Sequence, residues 1–338
     1  MKVGFLVGLG IVIGLVAWQG VATVADRLAA AGWGILLVSL FILPDLILST
    51  ASWRLLFAPG RTPRFADAAR AMWIGSSVNS LLPVATIGGE FVKARVLTLR
   101  SVRGVDAAAS VVLDKTVQAV SVLLWALIGI AILALVAPDE RVVTAALVGS
   151  TLLMLGIAGF VLVQYAGAFG IFARPAARIS RTDKWQSLVE SAADLDAVIH
   201  GLYRRPGVIL KSTGWRLAMR AVMAGEVWLV TWLVGYPIGL EEAVLLRSLT
   251  VALRSAAFVV PGGLGVQEGG YVVVGALVGL PPDVMLAVSL ATRLRELIAS
   301  VPGLLAWQLA EGGAYWRRRT QAGAAAPEGE IEADKPRR

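Results

Sequence analysis

The chain has 338 residues, 57% of them hydrophobic and only 16% charged, and its mean hydropathy of +0.75 is far above that of a water-soluble domain. Its 31 Lys and Arg against 23 Asp and Glu leave a net charge of +8. Cytoplasmic loops of multi-pass membrane proteins carry such an excess routinely, and with no aromatic-basic surface motif beside it the charge does not point to nucleic acid. The absence of cysteine excludes a disulfide framework or a thiolate metal site, and a single histidine, His200, excludes a site needing two imidazoles.

Val3 to Ala22 is a first apolar run, longer than the core of a typical signal peptide and followed by more of the same, so it reads as an uncleaved first helix. Trp33 to Phe57 is a second span, interrupted at Pro44 and Asp45, and the segment after it is rich in arginine and reads as cytoplasmic. Ala71 to Leu82 and Phe91 to Leu99 are each too short to cross about 30 Å of hydrocarbon, and they flank the break LPVATIGGE. They read as the two arms of a re-entrant hairpin over 71–99. Backbone that leaves helical geometry at membrane depth must be buried in protein or line a wet cavity.

Ala107 to Ala137 and Val142 to Tyr165 are further spans. Residues 166–212 form a basic cytoplasmic linker, within which Leu188, Leu195, Val198 and Leu202 have the spacing of a helix lying on a membrane surface and His200 reads as a surface residue. Gly214 to Tyr236 is a span holding Arg216, Arg220 and Glu226; residues 243–280 repeat the pattern of two arms around a break; Val284 to Leu309 is the last span. The charged, low-complexity tail 313–338 reads as disordered and cytoplasmic.

The second break, VVPGGLGVQEGG, matches the first: Pro83 and Glu90 have counterparts in Pro261 and Glu268 at an offset of 178 residues. The same offset carries Trp33 to Phe57 onto 211 to 235 and places Asp106 one residue from Asp283. The first break has Lys93, Arg95, Arg100 and Arg103 beside it, the second only Glu241, Glu242 and Asp283, so the two hairpins enter from opposite faces. With both termini cytoplasmic, about six spans and two hairpins place every basic loop inside. The expectation is therefore an all-α integral membrane protein, a single membrane domain over 1–312, built as an inverted repeat of 33–137 and 211–311. Inverted repeats with broken helices are an architecture of secondary transporters, since two exchangeable halves give two open states around one site. Close helix packing at the glycines is the alternative use of the same residues.

On these motifs the chain resembles the flippase-like family that includes the membrane region of lysylphosphatidylglycerol synthases. The residues that carry the likeness are Asn79, Leu82, Pro83, Gly88, Gly89, Glu90, Lys93 and Arg95, then Pro261, Gly262, Gly263, Gly265 and Glu268. Gln267 stands where the family often has a basic residue, and GVQEGG, GLPP and RLRELIASVPGLLAWQ are most similar to its hopanoid-biosynthesis-associated branch. The resemblance implies a lipid flippase of a bacterial inner membrane, with hopanoid or phospholipid as cargo and lipid-biosynthesis proteins as partners. The aminoacyl-transfer domain of the synthases has no counterpart in the sequence, so lipid aminoacylation is not expected.

An ionisable side chain at mid-membrane costs about 2.5 to 3.5 kcal/mol on insertion scales and needs a partner or a role. For Glu90 and Glu268 two readings stand: each caps its own arm, or the two form a central gating pair together with the Pro83, Gly88, Gly89 and Asn79 turn and the Pro261, Gly262, Gly263 and Gly265 turn. Arg216 and Arg220 share a helix face, as do Arg247 and Arg254. With Lys93, Arg95 and Arg293 they either bind a lipid phosphate, the arginines through the planar guanidinium fork and Lys93 as a point charge, or reach for an interface, and Arg293 has Glu296 within reach. The sequence has no nucleotide-binding loop, zinc-protease motif or nucleophile elbow, so neither an enzyme nor a cofactor or metal site is expected.

Overall fold

The computed structural model describes residues 31–82, 88–136, 194–257 and 263–324, with Val260 and scattered positions at 26, 29 and between 144 and 162; side chains are described up to Glu311. The expected first span, most of Val142 to Tyr165, Pro83, Pro261 and Gly262 lie outside the described residues. Every regular element among the described residues is a helix. In chain order these are α1 (Gly34–Ser39), α2 (Ile42–Arg54), α3 (Phe65–Leu81), α4 (Gly88–Thr98), α5 (Gly104–Val136), α6 (Pro206–Leu233), α7 (Leu240–Ala256), α8 (Val266–Leu277) and α9 (Pro282–Ala324). A further helical stretch covers 194–203.

The second span is broken one turn earlier than Pro44 suggests. Proline has no N–H to give the carbonyl four residues back, so the interruption falls at Leu40 and Phe41, where the hydrogen bonds tighten to three-residue spacing (Leu40 N to Leu37 O, 3.0 Å; Phe41 N to Val38 O, 3.1 Å). Pro44 itself sits in the first turn of α2, where a missing donor costs nothing. The arms around the first break are also longer than expected, at 17 and 11 residues, because Phe65 to Arg70 and Gly88 to Glu90 are helical as well. Helix α5 (33 residues) and the Leu36–Arg54 stretch are long and apolar enough to cross a membrane.

Two expectations are revised. The apolar face of the 194–203 helix is covered by protein: Ile199 and Leu202 are 0% and 3% exposed and pack with Trp53, Leu113 and Val117. His200, half-buried, places Nδ1 2.8 Å from the carbonyl of Asp196. The tail is not irregular from residue 313, since α9 continues to Ala324. Extending an existing helix needs no new nucleus, and this stretch carries three Ala and three Arg, both strong helix formers.

Two apolar cores form, one in each half. Trp53, Leu56, Ile74, Leu97 and Leu113 unite α2 to α5, while Val227, Leu245, Tyr271, Met285 and Val288 unite α6 to α9. The halves meet first along α2 and α6. Ser52 and Ser212 exchange hydrogen bonds (Ser52 Oγ to Ser212 O, 2.9 Å; Ser212 Oγ to Ser52 O, 3.0 Å), while at the other end Gly34 lies against Leu233. The α1–α2 segment and α6 are therefore antiparallel. The halves also cross over, with α7 packed on α5 and α3 on α9. At each crossing a glycine of the long helix faces a serine of the arm, Gly129 against Ser248 and Gly303 against Ser77. The exterior is apolar: Trp33, Leu40, Leu135, Trp232 and Leu309 are all more than half exposed.

Candidate functional site

The motif GGE builds the first part of the site. Backbone approach between α3 and α4 is so close that a Cβ on Gly89 would overlap the carbonyl of Gly75, and one on Gly75 would lie 2.7 Å from the carbonyl of Gly89. Only glycine fits at either position. Asn79 of α3 ties the start of α4: its Oδ1 accepts from Gly89 N at 2.8 Å and its Nδ2 donates to Glu90 Oε1 at 3.4 Å. Glu90, in the first turn of α4, then faces two ammonium groups, Lys93 at 2.9 Å and Lys115 at 2.8 Å.

Lys93 is 2% exposed. Its ammonium stands 4.7 Å from the centroid of the Trp53 ring and donates to Asp114 Oδ2 at 2.7 Å. The other oxygen of Asp114 takes Arg216 Nη2 at 2.5 Å, and Arg216 Nη1 donates to Ser49 Oγ at 2.9 Å. A line of alternating charge therefore runs from α4 through α5 into α6, out of contact with water, where each removed partner leaves a stranded charge.

The second half has its own network. Gly263 and Gly265 hold φ angles of 61° and 77°, a left-handed turn that side chains resist, and this turn delivers the N-terminus of α8. Glu268 does two things at once: Oε2 accepts from Gly265 N at 2.7 Å, capping its own helix, and Oε1 accepts from Arg293 Nε at 2.9 Å. Arg293 also bonds the Gly263 carbonyl at 2.9 Å and reaches Glu296 at 3.4 Å. Glu296 takes Arg254 at 2.6 Å, and Gln267, where the family pattern often has a base, accepts from the same Arg254 at 2.6 Å. Nearby, the fully buried Glu226 pairs with Arg295 at 2.5 Å and with Arg247 at 3.8 Å.

The two networks share a spacing. Glu90 with Lys115 and Glu268 with Arg293 are both ion pairs across 25 residues, and in each the base also reaches a residue three further on, Gln118 or Glu296. Each member of the second set lies 178 positions after its counterpart, the offset of the two prolines.

Between the halves lies a cavity of about 490 Å³, walled by α5, α6 and α7. Its charged lining is five basic side chains, Lys115, Arg216, Arg220, Arg247 and Arg254, against one carboxylate, Asp45. Val122, Trp125, Met219 and Met223 supply an apolar flank. A smaller cavity of about 130 Å³ is walled mainly by α2, α3 and α9, with Ser49, Ser77, Arg295 and Ser300 in its lining, and it shares Asp45, Gln118 and Arg216 with the large one.

Of the residues singled out from the sequence, Arg216, Arg220 and Arg254 line the large cavity, joined by Arg247 and Lys115. Glu90 and Glu268 do not meet; each is held by bases of its own half. Lys93 and Arg293 are committed to carboxylates inside the protein, and Arg95 pairs with Glu311 at 3.2 Å at a half-exposed edge. The Arg295–Glu226 pair and the serines Ser49 and Ser121 were not foreseen. Glu226 stood out as a charge inside a span, but its partnership with Arg295 bridges 69 residues and leaves no local trace. Among the described residues no group of His, Cys, Asp or Glu could hold a metal ion.

An apolar exterior around a charged interior that encloses a basic cavity defines a helical membrane protein, its polarity inverted relative to a soluble domain. Residues 5–303 match the family model of the lysylphosphatidylglycerol synthase transmembrane region, and the chain belongs to that family of membrane proteins connected with lipid handling. No curated protein and no solved structure matches the chain.

Proposed function

We propose that the protein moves an amphiphilic lipid between the leaflets of a bacterial inner membrane by alternating access, with both termini cytoplasmic. The observation that carries this reading is the large basic cavity with an apolar flank, set between two halves. A polar headgroup entering it would exchange water for guanidinium donors, while its tails stay with methionine, valine and tryptophan side chains or with the surrounding lipid.

In this reading 33–137 and 211–311 are an inverted repeat, and α3–α4 and α7–α8 are re-entrant hairpins of a six-span domain joined by the 166–212 linker. The arms, at 17, 11, 17 and 12 residues, have lengths of about 17 to 26 Å at 1.5 Å per residue, short of the roughly 30 Å hydrocarbon core. Three observations support the repeat: the antiparallel course of α1–α2 and α6, the ion pairs matched at the 178-residue offset, and the exchange of walls between the two cavities. The large cavity is built mainly from the last helix of the first half and the first two of the second, the small one mainly from the last helix of the second half and the first two of the first, and the two share Asp45, Gln118 and Arg216 in their linings. Rocking that closes one would open the other.

The transport needs no enzyme activity or cofactor, and either an ion gradient or the lipid's own gradient would drive it. The cargo classes are phospholipid and, by likeness to the hopanoid-associated branch, a hopanoid. Reconstitution of the purified protein into liposomes with a headgroup-labelled phospholipid, followed by quenching of the outer leaflet, tests the reading. Accelerated loss of the protected label is expected. A protein that moves no lipid would instead be a non-transporting partner of a lipid-biosynthetic enzyme, and one that moves only soluble solutes a small-molecule secondary transporter.

A further inference from the structure

We propose that the Arg220 corner of the large cavity is a subsite for the phosphodiester of an anionic lipid headgroup, and that it disfavours headgroups carrying an added amine. Among the basic residues of the cavity wall, four lean on a carboxylate: Lys115 on Glu90, Arg216 on Asp114, Arg247 on Glu226 and Arg254 on Glu296. Arg220 does not. It is 9% exposed, its Nε donates to Ser121 Oγ at 3.1 Å, and among the described residues no carboxylate lies within ion-pair distance of it. Asp45, the one acid of the wall, lies beyond that distance and accepts from Ser49 Oγ at 3.4 Å. A second unspent donor stands in the same wall: Trp125 is 5% exposed and its indole Nε1–H has no partner among the described residues.

A buried guanidinium without a counter-charge is unfavourable in the empty protein, and an anion that supplies the charge recovers that free energy on binding. A phosphodiester suits the terminal fork, since its two non-bridging oxygens accept two parallel N–H groups and each keeps a lone pair for a further donor such as the Trp125 indole. Phosphatidylglycerol brings one negative charge. Its lysyl ester brings two ammonium groups as well; four bases of the wall are already matched by carboxylates, and the unmatched Arg220 guanidinium that would hold the phosphate repels added ammonium groups beside it. The preference is for the unmodified anionic lipid over the aminoacylated one.

The inference rests on the lipid-transport reading for its choice of a lipid over a soluble anion, and binding measurements separate the two. The purified full chain in neutral detergent is titrated with phosphatidylglycerol, lysylphosphatidylglycerol and inorganic phosphate, with native mass spectrometry and ligand-induced thermal shift as readouts. Phosphatidylglycerol should bind at least about 10-fold tighter than its lysyl ester, a difference of about 1.4 kcal/mol. Arg220→Gln should abolish the preference, and Arg220→Lys should keep its direction while weakening phosphatidylglycerol binding. Equal affinity for the two lipids overturns the proposal, as does an unchanged preference in Arg220→Gln protein that elutes and melts as a folded species. Inorganic phosphate binding as tightly as the lipid assigns the site to a soluble anion and overturns it too. Selective binding without lipid movement in liposomes sinks the transport reading alone; lipid movement without charge preference sinks this one alone.

Discussion

Asp114 and Arg216 stand 102 residues apart in the chain and meet at 2.5 Å, both almost fully buried. Their contact joins the last helix of one half to the first helix of the other, and Lys93 holds the second oxygen of the same carboxylate. Replacing Asp114 with Asn would strand the buried Arg216 and leave Lys93 with Glu90 as its remaining carboxylate. Loss of one partner of a buried pair costs about 3 to 5 kcal/mol. Asp114→Asn is therefore expected to melt far below the parent in detergent, or to fail to accumulate. A melting curve superimposable on the parent's would show that water or rearrangement supplies the missing charge.

Close approach at the first break gives a second expectation. Gly89→Ala pushes a Cβ into the carbonyl of Gly75, and overpacking of this kind costs about 1 to 3 kcal/mol. Gly214, exposed in the interior of α6 with nothing near its would-be Cβ, is the control. There Ala should stabilise by about 0.5 to 1 kcal/mol, since it removes unfolded-state freedom and favours helix. Thermal unfolding of the two variants should move in opposite directions.

Double-mutant cycles decide between a central glutamate pair and two separate ones. Glu268 with Arg293 should couple by about 0.5 to 3 kcal/mol, because the two groups touch at 2.9 Å. Glu90 with Glu268 should be additive within about 0.5 kcal/mol, since neither shares a partner with the other. Strong coupling between the glutamates would restore the single gate that the sequence suggested.

Exchange of the two cavities is open to labelling, because the chain contains no cysteine. Val122 lines the large cavity and Ser300, 178 positions later, lines the small one. Val122→Cys should react readily with a soluble maleimide and Ser300→Cys slowly, and added cargo lipid should shift the two rates in opposite directions. Rates that rise or fall together would rule out an alternating pair of vestibules.

Much of this was legible from the residues alone. Hydropathy established a helical membrane protein, because lipid admits few backbones and leaves long apolar runs in the sequence. Spacing located the two glycine-rich breaks and their offset, since a left-handed turn at Gly263 and Gly265 and a backbone contact at Gly89 have few sequence solutions. Intramembrane charge picked out the residues with work to do, because each would otherwise be too costly to keep.

Who partners whom was decided only in three dimensions. Glu226 finds Arg295, Asp114 finds Arg216, and the two glutamates, for which arm caps and a central pair were both open, are each held by bases close at hand. Apolar periodicity suggested a membrane surface for the 194–203 helix, and packing covers its apolar face with Trp53 and Leu113. A sequence states how many charges and apolar faces must be satisfied. Which neighbour satisfies each depends on the crossing of α7 on α5 and α3 on α9, and that same crossing leaves Arg220 facing an open cavity with its charge unmatched.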